Sequence, residues 1–219
     1  MTVVVTIDVL LGGPLTHLDH TIHRFADRDV RGRWKYTADM TRLLGQRWVL
    51  LHAIVPLAVI AGVRTRSFRP PLTAGLIVIG LSALQTVTKS IIPRTYPVSG
   101  KDLLFVRGDA YPSGHTLNGF VLVWTVLELL VVAFPGFFVC SGRLRARRRF
   151  VIALVTGFVT AVALTLSDVH WLTDVLASLG LGIILLDLLV WTDPFRTRAA
   201  ERAGTPRASA NMSVGPGAA

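Results

Sequence analysis

The sequence predicts an all-α, integral membrane helical bundle with five clear transmembrane helices and a short or partial sixth at the N-terminus. Three observations predict it. Of 219 residues, 52% are hydrophobic and only 16% charged, with a mean hydropathy of +0.56, more apolar surface than a soluble domain of this length needs. Five apolar stretches, at about 48–63, 71–92, 117–140, 150–167 and 172–192, reach or approach the ~20 helical residues that cross a bilayer. The arginines gather between these stretches rather than on one continuous basic face.

The elements follow in chain order. "VVVTIDVLLGG" at 3–13 is too short to span alone and lacks the basic start and cleavage site of a signal peptide. It reads as the end of a first helix, short or truncated at its beginning. Residues 14–45 mix charge with spaced apolar positions, including Leu15, Leu18, Ile22 and Phe25, and read as amphipathic helices at the outer interface. His17, His20 and His23 recur there every third residue; a solvated helix face suits them better than a metal site, since no acids stand at ligand spacing. After the five spans, the polar tail 195–219 reads as disordered.

Charge sets the expected orientation. Segment 64–70 carries Arg64, Arg66 and Arg69; segment 141–149 carries Arg143, Arg145, Arg147, Arg148 and Arg149; the tail carries Arg196, Arg198, Arg202 and Arg207. If the five spans alternate, these three share one side, and the positive-inside rule makes it cytoplasmic. Segments 93–116 and 168–171 then face each other outside the cytoplasm. The formal net charge of +10 is thereby read as helix flanks, and no nucleic-acid partner is expected. The single cysteine, Cys140, excludes an intrachain disulfide framework and a cysteine-rich metal site.

Three polar clusters could do chemistry on the outer side. In "PSGH", Pro112 to His115, Ser113 is a good N-cap for the apolar run that begins at Leu117. Unpaired N–H groups and a positive dipole at that helix start suit an anion, particularly phosphate, and Gly114 leaves the backbone open to it. His115 stands close enough to give a proton to a leaving oxygen. An ordinary capped helix explains the same four residues. In "HWLTD", His170 and Asp174 share a helical face, so the carboxylate can fix the imidazole tautomer and leave the other nitrogen as nucleophile. A polar pair at a helix start, with Trp171 as interfacial anchor, is the plainer alternative. Lys89, Arg94, Lys101 and Arg107 supply cations that could neutralise a phosphoryl group, or, for Lys89, simply snorkel.

Over about residues 45–192 the chain resembles the type 2 phosphatidic acid phosphatase superfamily, whose core is shared with bacterial acid phosphatases and vanadium haloperoxidases. "PSGH" matches that family's second motif, His170 and Asp174 the end of the third, and Lys89 and Pro97 the first. Two motifs depart: Tyr96 stands where the first motif has arginine, and Ala163 and Leu164 stand where the third opens with serine and arginine. The resemblance implies a membrane-bound lipid phosphatase that hydrolyses a lipid phosphate or polyprenyl diphosphate at the outer face. His170 would form a phosphohistidine, Asp174 orient it, and His115 act as acid. Lys89, Ser113, Gly114, Arg94 and Arg107 would bind phosphate, the two arginines replacing those absent. No metal or cofactor is expected. Residues 1–194 would be the phosphatase domain and 195–219 a cytoplasmic tail, with the lipid substrate and the bilayer as partners. A weakened relative that binds headgroups without turnover also suits the missing arginines. A transporter, suggested by Glu128 and Asp187 inside apolar runs, is the third reading.

Overall fold

The computed structural model describes residues 1–138 and 145–195. Cys140, Arg143 and the tail arginines from Arg196 onward, with the disorder expected of the tail, lie outside the described residues. Nine α-helices and two short 3-10 turns (Arg42–Gly45 and Pro97–Ser99) make up the described fold, with no strand among the described residues: α1 (Thr2–Leu11), α2 (Pro14–Asp29), α3 (Arg33–Thr41), α4 (Arg47–Thr65), α5 (Arg69–Ile91), α6 (Gly114–Ala133), the four-residue α7 (Pro135–Phe138), α8 (Ala146–Leu166) and α9 (Leu172–Thr192). Five of them, with α3 and α4 counted together, are long and apolar enough to cross a membrane. Helix is the expected answer, because hydrocarbon offers no partner for an unpaired backbone group.

Local chemistry sets the helix ends. Arg66 takes a left-handed conformation after α4, and prolines 70 and 71 open α5, where a missing N–H costs nothing. Ser113 caps α6 by accepting from Thr116 N at 3.4 Å. The apolar run expected to continue to residue 140 stops at Ala133, because Pro135 cannot continue the helix.

Helix α6 is the axis of the bundle. It packs against α4, α5, α8 and α9, and Leu117, Phe120, Leu122, Trp124 and Leu129 are all buried. Phe120 lies on α8 at Gly157, where a Cβ would stand only 2.4 Å from the ring. Glu128 faces inward and binds Arg149 of α8 at 2.6 Å, so this carboxylate is an ion-pair partner between helices. Asp187 is exposed on α9. Phe195, expected to begin the tail, is instead buried with its ring 5.9 Å from Trp124.

The N-terminal helices form a bent pair. With 10 residues, α1 is about 15 Å long, half a bilayer core, and it lies along α9 with Val5 and Val9 buried. Gly12 (φ 63°) ends it, and α2 leaves at 85°. Asp8 fixes the corner by accepting from Leu15 N (3.0 Å) and Thr16 N (3.3 Å), two unpaired donors at the start of α2. Helix α2 then contacts α8 and α9, bonding at Asp168 and Thr173 where α9 begins.

Phe120→Ala should remove the ring that fills the α6–α8 contact and cost about 3–5 kcal/mol. Thermal unfolding of the purified protein in detergent measures it; an unchanged midpoint contradicts this packing.

Candidate active site

The starts of α4, α6 and α9 and the end of α5 meet at one end of the bundle, around a cavity of about 620 Å³. His115, His170, Gly114, Lys89 and Tyr96 line it together with Arg42, Arg47, Gln85 and Asn118. Residues from the second and third motifs, more than fifty positions apart, thus share one space. The two imidazoles lie with ring centroids 6.4 Å apart.

His170 is held from behind. Its Nδ1 is 3.4 Å from Asp174 Oδ2, a long hydrogen bond of the kind that tightens when substrate arrives. The same oxygen accepts from Trp171 N at 3.1 Å, so Asp174 also caps α9. Its other oxygen accepts from Arg94 Nη1 at 2.7 Å. Asp174 is fully buried with both oxygens bonded, and the Nε2 of His170 is the nitrogen left for chemistry.

Ser113 and Gly114 divide. The Ser113 hydroxyl is buried, accepting from Thr116 N and lying 3.2 Å from Thr116 Oγ1; Gly114 borders the cavity and Ser113 does not. The cap needs that hydroxyl. His115 borders the cavity from the first turn of α6, and its carbonyl is approached by Gly45, where a Cβ would stand 2.2 Å from the oxygen. Only glycine allows the turn between α3 and α4 to come so close.

The cations also divide. Lys89 lines the cavity, donating to the Asp109 carbonyl and lying 3.7 Å from its carboxylate. Arg94 and Arg107, the expected replacement arginines, do not line it. Arg94 is wholly buried, and all five of its N–H donors are committed. Nε and Nη2 donate to Asp102, Nη2 also to Asp19 (2.8 Å), and Nη1 to Thr173 (2.6 Å) and Asp174 (2.7 Å). Burial alone would lower its pKa, but the surrounding carboxylates hold it well above the usual arginine value. Arg107 is exposed in the loop. Tyr96 does face the cavity, its ring 5.5 Å from that of His170. Burial, then the neighbouring Asp109, push its phenol upward, so a neutral O–H occupies the position of the motif arginine.

Helix α2 braces this arrangement. Asp19 is buried and accepts from Thr173 N at 2.9 Å, while His23 bonds Asp168 at 2.7 Å. His17 and His20 are exposed and His23 is half-buried, and the rings of His20 and His23 stand edge-on to Trp171 at the start of α9. Trp171 is itself buried, donating to the Thr95 carbonyl at 2.7 Å, and is no interfacial anchor. Among the described residues no group of three His, Cys, Asp or Glu side chains could hold a metal.

Sequence reasoning missed Arg42, Arg47, Gln85, Asn118 and Asp19. A signal existed for two of them. Gln85 and Asn118 are polar residues inside apolar runs, each one turn from a motif residue, and the structure joins them at 3.1 Å.

A model of the PAP2 superfamily matches residues 70–198, more than half of the chain. The chain belongs to the PAP2 superfamily. Its fold is similar to the crystal structure of the first transmembrane PAP2 type phosphatidylglycerolphosphate phosphatase from Bacillus subtilis. The TM-score is 0.66 at 20% identity, over 90% of this chain and 98% of that one. No curated protein matches the chain.

Arg94→Ala should leave three carboxylates facing one another without their countercharge and cost about 3–5 kcal/mol, the scale of breaking a buried ion pair. Arg107→Ala, on an exposed residue, should change stability by less than about 0.5 kcal/mol. Thermal melts of both variants check this; equal midpoints would contradict the structural role of Arg94.

Proposed function

We propose that the protein is a membrane lipid phosphatase, hydrolysing a lipid phosphate or a polyprenyl diphosphate through a phosphohistidine. One observation carries the reading: His170, braced by Asp174, shares a cavity with His115 and Lys89 at the start of α6. The substrate phosphoryl group would lie over the first turn of α6, against the exposed backbone at Gly114 and the Lys89 ammonium. His170 Nε2 attacks phosphorus, the P–O bond to the lipid breaks, and His115 gives its proton to the departing oxygen. Water, losing a proton to His115, then attacks the phosphohistidine and releases orthophosphate.

Two further assignments belong to this reading. The chain through Phe195, which packs into the bundle, acts as one phosphatase domain followed by a cytoplasmic tail. The cavity lies at the extracytoplasmic face, because Arg64, Arg66, Arg145 and Arg147 sit at the opposite helix ends. A binder without turnover is favoured by one observation, the neutral Tyr96 in the place of a motif cation. Turnover separates the two.

Purified protein should release orthophosphate from a lipid phosphate, and His170→Ala should abolish release from every substrate. His115→Ala should slow lipid alkoxide leaving groups far more than an activated aryl phosphate, which departs without a proton. Equal losses on both would refute the acid role. Impermeant labelling of intact cells, with single cysteines at positions 105 and 145 on a Cys140→Ala background, should mark position 105. Preferential labelling of position 145 inverts the topology.

A further inference from the structure

The family's first and third motifs bring two guanidinium groups to the phosphate, and this chain has neither. Tyr96 is neutral, and the third-motif positions hold Ala163 and Leu164, both buried and apolar. The expected substitute, Arg94, has no donor left. A phosphoryl group held by Lys89 and helix N–H groups alone would lack the planar, two-point recognition that arginine gives.

Two other guanidinium groups reach the cavity. Arg42 lies in the turn after α3 and Arg47 is the first residue of α4, so both precede the residues 70–198 that match the family. Each is partly exposed, and each spends little of its donor set on the protein. Arg42 gives Nε to Asp39 at 3.1 Å, and Arg47 gives Nη2 to Gln85. Arg47 is aimed by a chain of bonds. Gln85 holds it from α5 and donates to Asn118 at 3.1 Å; Asn118 donates to the Gly45 carbonyl at 3.1 Å, two residues before Arg47. Lys89 stands one helical turn beyond Gln85, which puts the ammonium on the same wall.

We propose that Arg42 and Arg47 form the phosphate clamp of this site, supplying from outside the matched family region the two guanidinium groups its motifs lack. The proposal rests on reading the cavity as a phosphatase site. Its ligand chemistry is a phosphoryl oxyanion, whether ester-bound to a lipid or free.

The test uses the full-length protein in detergent, with Arg42→Gln, Arg47→Gln, the double variant, Arg47→Lys and an Arg107→Gln control. Orthophosphate binding, by isothermal titration, is measured beside kcat and KM on a lipid phosphate and on a water-soluble aryl phosphate. Each single glutamine variant should lower kcat/KM on both substrates by a factor of about 10², the scale of losing one oxyanion donor. The double variant should lose measurable orthophosphate binding, Arg47→Lys should recover only part, and Arg107→Gln should match the wild type. Wild-type Kd and kcat/KM in the double variant would overturn the clamp while leaving the phosphatase reading intact. Losses confined to the lipid substrate would also overturn it, because they place the arginines on another part of the headgroup. A wild-type protein that binds orthophosphate without turnover would overturn the phosphatase reading, and the clamp then stands or falls on the change in Kd. A wild-type protein that binds none overturns the clamp.

Discussion

One buried guanidinium holds this molecule's working end together. Arg94 comes from the loop after α5 and meets Asp102 of the same loop, Asp19 of α2, and Thr173 and Asp174 of α9. Three separate parts of the chain are therefore fixed to one planar group. A lysine could not replace it, since five donors in a rigid fork are needed and an ammonium offers three on a flexible stem. Trp171 completes the enclosure, with the guanidinium carbon 5.4 Å from its ring centre. The fixation passes directly to the proposed nucleophile. Asp174 accepts from Arg94 with one oxygen and faces His170 with the other, so movement of the arginine would move the imidazole.

This arrangement separates two electrostatic tasks that the sequence alone does not distinguish. Arg94 neutralises carboxylates in a dry interior, where its charge is spent before any substrate arrives. Arg42, Arg47 and Lys89 border a cavity open to ligand, with Asp109 the one carboxylate among its lining residues. A site of that balance attracts an oxyanion, and the neutral phenol of Tyr96 shapes its wall without adding charge.

Much of the fold was legible because the bilayer leaves so few choices. Apolar runs must be helices, and their lengths and arginine flanks placed α4, α5, α6, α8 and α9 within a few residues, except where Pro135 cut α6 short. The pairing of "PSGH" with "HWLTD" at one end followed from alternation of the spans, and the structure places His115 and His170 in one cavity. The arginines were not legible. Arg94 lies two positions from a motif residue and looks available, but sequence proximity carries no information about Asp19, seventy-five residues earlier. Arg42 sits in a stretch that reads as amphipathic interface and Arg47 just after it, and the close approach of Gly45 to His115, a tertiary contact, is what brings both to the cavity. The α1–α2 corner was hidden for a similar reason: Asp8 caps a helix that begins after it, across a turn.

In the proposed mechanism the Arg94–Asp174 assembly presents His170 to phosphorus by one particular nitrogen. Because Nδ1 faces Asp174, the phosphoryl group must be carried on Nε2. Reaction with a phosphate ester, quenched in alkali during turnover, followed by peptide mass spectrometry and 31P NMR of the isolated peptide, identifies both residue and nitrogen. The expected result is an acid-labile phosphoryl group on Nε2 of His170. A phosphoryl group on Nδ1, on His115, or on no residue of the chain during confirmed turnover would contradict it.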